Sequence, residues 1–190
     1  MSDAPEFTPH GSLEAVPDVV DVLLRDNTDL LIDNTIAETA LFTFPVPAYM
    51  LDGDRGLRVT IRGDRKNSSG STVNTIFRIK LGATTLWQHN QSTGTDSATS
   101  PFLLEFEILA KNSDAIQEMD GRLSIAANTS GLGPTTGLGS MSASLEADAI
   151  IFGESTEDGR TALDLVFSVD MDTASANAWW MHRKSLVEHL

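Results

Sequence analysis

Residues 73–81 read Val73-Asn74-Thr75-Ile76-Phe77-Arg78-Ile79-Lys80-Leu81, and Gly82 follows. Val73, Thr75, Phe77, Ile79 and Leu81 fall on every second position. Successive side chains of a strand point to opposite faces, so this period of two predicts a strand with one buried face. The same period recurs on either side. Leu57, Val59 and Ile61 alternate with Arg58, Thr60 and Arg62; Phe102, Leu104, Phe106 and Ile108 alternate with Leu103, Glu105, Glu107 and Leu109. The polar stretch 63–70 reads as a turn, which predicts that 57–63 and 73–81 are neighbours in one sheet, joined as a long-looped hairpin.

Further strands are expected at 40–44, ahead of Pro45 and Pro47, at 84–89 and around Leu123 and Ile125 after the turn dipeptide Asp120-Gly121. Two more, at 146–152 and 163–169, flank a second turn dipeptide, Asp158-Gly159, and a last one runs over 178–187. The count is about eight to ten short strands, the spacing of a sandwich or barrel. An antiparallel sheet with one apolar face and no helix to cover it needs a second sheet as cover. The expected fold class is therefore all-β, an antiparallel β-sandwich.

Helical signals are confined to the N-terminus. Pro17 followed by Val19, Val20, Leu23 and Leu24 predicts a short amphipathic helix over 17–24, too short to stand without docking. Residues 1–33 are thus expected to form an acidic arm, extended or briefly helical, anchored by Phe7, Leu13, Val16, Val19 and Leu23, with the sandwich domain over 34–190. Deleting 1–33 is expected to leave the sandwich folded and weaken attachment. Residues 128–144, rich in Gly, Ser and Thr, predict a long exposed loop.

The 190-residue chain has 13 Lys and Arg against 27 Asp and Glu, a net charge of -14, and no cysteine. Without cysteine there is no disulfide scaffold, thiolate metal site or Cys nucleophile. No window is apolar enough to span a membrane, and the acidic start does not read as a secretory signal. The acid excess disfavours nucleic acid as partner, since phosphate binding needs clustered cations. Charge is also segregated: residues 1–54 sum to -10, residues 55–80 to +6 and residues 81–190 to -10. If 57–63, 73–81 and 102–109 share a sheet, Arg58, Arg62, Arg78 and Lys80 come near Glu105 and Glu107. Arg65 and Lys66, read as loop residues, then remain as the cations best placed to meet a partner, with Arg55 beside them.

No catalytic motif emerges. His10, His89, His182 and His189 are dispersed without a ligand spacing, and no G-x-S-x-G or phosphate-cradling loop occurs. Asp52-Gly53-Asp54 and Asp170-Met171-Asp172 lack the further oxygens of a calcium loop. With so many carboxylates, a pair at glycosidase separation carries no information. Arg62-Gly63-Asp64 is explained as a strand-to-turn boundary. No cofactor and no metal is expected. Trp179 and Trp180 are consecutive, so a strand points one inward and one outward, the latter for an interface or a sugar platform.

The order of elements resembles that of the jelly-roll or β-sandwich virion proteins of tailed bacteriophages. The residues that carry it are Asn34-Thr35 before 39–44, Pro45-Val46-Pro47-Ala48, 57–63, the run Phe77-Arg78-Ile79-Lys80-Leu81-Gly82-Ala83-Thr84-Thr85-Leu86, 102–108, and 163–169 followed by Ser175-Ala176-Asn177. The resemblance implies a jelly-roll-like sandwich in a non-enzymatic structural protein, located in the virion after assembly in the host cytoplasm. It further implies a homo-oligomer, usually a trimer, that partners the major capsid protein or other virion proteins as a capsid decoration or cement protein. The competing expectation is a tail, baseplate or fibre module whose loops at 65–71 or 131–139 contact host-surface glycan; a third is a β-sandwich polysaccharide-degrading enzyme. The charge segregation adds that the acidic arm or edge of one subunit meets the 55–80 region of its neighbour, a contact that high salt should loosen.

Overall fold

Alternation is carried through into pairing in a computed structural model that describes residues 21–126 and 145–190. The strands are β1 (Asp21–Asp26), β2 (Leu30–Asp33), β3 (Thr39–Val46), β4 (Gly56–Asn67), β5 (Val73–Leu81), β6 (Thr84–Thr93), β7 (Asp96–Ala110), β8 (Gln117–Ala126), β9 (Leu145–Ser155), β10 (Leu163–Met171) and β11 (Ala178–His189). One sheet has the order β1-β11-β4-β7-β8-β9, with β2 also paired to β11; the other has the order β3-β10-β5-β6. All pairs are antiparallel, and among the described residues there is no helix.

The order has a simple origin. β5 pairs with β6, β4 with β7, β3 with β10 and β2 with β11, so the chain goes out and returns as a set of nested pairs. Rolling that ribbon up brings β11 against β4 and β10 against β5, which closes two four-stranded layers, β2-β11-β4-β7 and β3-β10-β5-β6. This is the strand order of a jelly roll. The β8–β9 pair is an insertion in the return path and widens the first sheet beyond β7.

Both inner faces are apolar in the register that period two requires. Leu57, Val59, Ile61, Leu104, Phe106, Ile108 and Val187 face Phe77, Ile79, Leu81, Leu165, Phe167 and Val169 across one continuous core. Trp180 ties the layers together: from β11 its ring meets Phe77 edge-on at 4.7 Å, and its Nε1 donates to the Thr75 hydroxyl at 3.2 Å, both on β5. At the far edge β9 closes on β6, where a Cβ at Gly153 would collide with the Leu86 carbonyl.

Several sequence expectations are corrected. The 57–63 and 73–81 strands are not a hairpin: β4 and β5 lie in different sheets. Residues 63–67 belong to β4, which ends where buried Asn67 turns inward and donates to the Ser71 and Thr93 carbonyls, each at 2.9 Å. Asp120-Gly121 is not a turn. It lies inside β8 opposite Phe106 and Glu107, and the missing side chain is demanded by the Glu105 carbonyl and Phe106, which a Cβ would strike. The helix expected over 17–24 is replaced, from Asp21, by strand β1; β1 and β2 hydrogen-bond to β11, so residues 21–33 extend the sheet rather than forming a detached arm. The expected loop at 128–144 lies outside the described residues.

Candidate interaction surface

Outward side chains of the larger sheet are set in rows by its register. Across β11, β4, β7, β8 and β9 one row reads Glu188, Arg58, Glu107, Asp120, Phe152; the next Leu186, Thr60, Glu105, Arg122, Ile150; and the next Lys184, Arg62, Leu103, Ser124, Asp148. Most cations here are matched. Arg58 Nε donates to Glu107 at 2.7 Å, and Arg122 Nε to Asp148 at 2.6 Å, holding that carboxyl below its ordinary range. Arg183 donates to Asp64 at 2.9 Å and to Asp29 at 2.6 Å.

Arg62 and Lys184 differ. They are directly opposite each other, both exposed, and neither has an ion pair among the described residues. A β-bulge brings them together. The register shifts between His182 and Lys184, so buried His182 and Ser185 both face inward while Arg183 and Lys184 both turn out. Strict alternation from Trp180 would have sent Lys184 into the core.

The remaining residues expected to bind partners separate. Arg55 is exposed and donates to the Tyr49 carbonyl at 3.0 Å. Arg65, expected on a loop, is a strand residue only 4% exposed, with its guanidinium 5.9 Å from the Trp180 ring centre. It is packing, not a contact surface. Lys66 is half-buried opposite Trp179, itself half-buried, and Trp180 is in the core. The outward tryptophan therefore presents no open platform. Leu23 packs half-buried against the core from β1, whereas Phe7, Leu13, Val16 and Val19 lie outside the described residues.

Arg78 and Lys80 are on the outer face of the other sheet, away from Glu105 and Glu107. Both meet Glu38, Arg78 at 3.3 Å, and Arg78 also reaches Asp170 at 3.4 Å. Hydrogen bonds from Lys80 and the Ser168 hydroxyl hold Glu38 below the usual glutamate range. Asp172 accepts from the Asn74 amide side chain at 2.6 Å, so the Asp170–Asp172 pair serves two separate contacts. Between the β1–β2 turn and β3 lies a cavity of about 310 Å³, walled by Asp26, Asp29, Phe42 and His182. His182 Nδ1 donates there to the Thr28 carbonyl at 2.8 Å. Among the described residues no group of three or more His, Asp or Glu is placed to hold a metal.

The two most exposed large apolar residues among those described, which sequence reading passed over, are on β9. Ile150 and Phe152 are 86% and 67% exposed on the outer face of the sheet's last strand. The signal was present: Ala149-Ile150-Ile151-Phe152 is apolar at every position, so either register leaves one apolar row outside. Lys184 was missed because a bulge is invisible to a period-two reading.

No protein family matches the chain, and no curated protein matches it. Among solved structures, one of infectious bursal disease virus, Gt strain, is similar over 96% of this chain and 38% of its own, with 13% identity and a TM-score of 0.37. Another, the CBM2 module of the evolved Dit of Lactobacillus casei BL23 phage J-1, is similar over 77% of this chain and 67% of its own, with 7% identity and a TM-score of 0.32. The chain spans less than half the length of the first.

Proposed function

We propose that the chain is a non-catalytic structural protein of a tailed-phage virion, a homo-oligomer that decorates the capsid surface through its major shell protein. The observation that carries the reading is the pair Ile150 and Phe152, 86% and 67% exposed on the outer face of β9, the last strand of the larger sheet of a jelly roll. Burying a side chain of this size gains about 1.5–3 kcal/mol. Such an apolar patch is a liability for a solitary protein and an asset for a subunit that other copies or a shell will cover. The jelly-roll order and the resemblance of the 39–48, 77–86 and 163–177 segments supply the class of assembly.

The test has two arms. Light scattering on the full chain should give a multi-copy mass, a trimer being expected, and Ile150→Ser with Phe152→Ser should lower it while the circular dichroism spectrum is unchanged. Antibody raised against the protein should label heads of phage particles. Labelled tails would overturn decoration in favour of a tail module, and unlabelled particles would overturn the virion role.

A further inference from the structure

We propose that the outward Arg62–Lys184 pair seats an acidic peptide, residues 1–20 of a second copy of this chain. The inference rests on the reading of the chain as an assembly subunit and names the contact. Like charges directly opposite across two strands are destabilising, and Arg62 and Lys184 hold that position without an ion pair among the described residues. Arg183, turned out by the same bulge, is taken by Asp29 and Asp64 and leaves Lys184 unmatched. The two cations border a groove of about 160 Å³ whose other walls are Thr60, Glu105 and Leu186. One carboxylate against two cations leaves the groove positive, on a chain whose net charge is -14.

Residues 1–20 have the complementary chemistry. They contain Asp3, Glu6, Glu14 and Asp18 and no Lys or Arg, and Glu14 stands between Leu13 and Val16. A carboxylate flanked by apolar side chains suits a groove with two cations and a leucine in its wall.

The reading of the chain as an assembly subunit assigns the segment to a neighbour's groove. Asp21 pairs with His189 and Asp26 with Ser185, so Asp21 is at the end of β1 far from the level of Lys184. The level of Lys184 is about 17 Å along the strand from Asp21 at ~3.3 Å per residue. Twenty residues span at most about 70 Å, enough to reach an adjoining subunit.

Charge reversal on the full chain tests this by light scattering over a range of protein concentrations at low salt. Arg62→Glu with Lys184→Glu should weaken self-association about tenfold or more, as should Glu14→Lys with Asp18→Lys, and combining all four should restore it. If the reversed groove melts without cooperativity, Arg62→Gln with Lys184→Gln replaces it, with loss of association still expected. A multi-copy wild type indifferent to the groove substitutions, or four reversals that restore nothing, would overturn this contact alone. A wild type monomeric at every concentration would overturn it together with the assembly reading.

Discussion

A single carboxylate shows how this fold uses charge. Glu38, just ahead of β3, accepts from Lys80 on β5 and from Ser168 on β10, and so joins three strands of the smaller sheet. Its pKa is depressed in the folded state. The stability it adds is therefore complete above the ordinary glutamate value of about 4.3 and is lost as pH falls through the lowered folded value. Glu38→Gln should destabilise the protein by about 1 kcal/mol near neutrality, allowing for its partial exposure, or about 2–4 °C in melting temperature. Melting curves of wild type and variant should converge once the pH has fallen below the lowered folded value, where both side chains are neutral. Neither Arg78 nor Lys80 could be assigned to Glu38 from sequence. Forty and forty-two positions separate them from it along the chain, and only the β3-β10-β5 order makes them neighbours.

Elements were legible where one face is buried and alternation is unbroken. The expected cores of β4, β5, β7 and β10 lie within the observed strands, and 84–89, 146–152 and 178–187 lie within β6, β9 and β11. Departures occur where the local rule meets a tertiary exception: Gly121 is inside a strand because Phe106 and the Glu105 carbonyl leave it no room, and β11 changes face at a bulge. At the N-terminus Asp21–Leu24, the described part of a run fit for a helix, is edge strand, because β11 offers it hydrogen bonds. That alters the expected effect of truncation. Removing residues 1–20 should leave the thermal transition in place. Removing 1–33 also strips β1 and β2, with Ile32 from the core and the Thr28 carbonyl from His182, and should lower the midpoint by several degrees or abolish cooperativity. Calorimetry of the two truncated chains, compared with the full one, checks this.

At the scale of the molecule the two surfaces respond differently to solvent. The proposed β9 contact is apolar and the proposed Arg62–Lys184 contact is ionic, so raising salt from about 0.05 M to 1 M, which shortens the Debye length to ~3 Å, should loosen only the second. Sedimentation at both salts should show partial dissociation with an unchanged melting temperature; an oligomer wholly indifferent to salt would assign assembly to β9 alone. The sequence by itself determined an all-β chain, its main strands, the apolar face of each and the block of cations over 55–80, because period two and charge are local properties of consecutive residues. It could not determine that β4 and β5 part to different sheets, that Arg65 is buried on Trp180, or that Arg62 meets Lys184. Those depend on which distant strands pair and on one bulged residue, and pairing is settled only when two apolar faces close on each other across the whole nested ribbon.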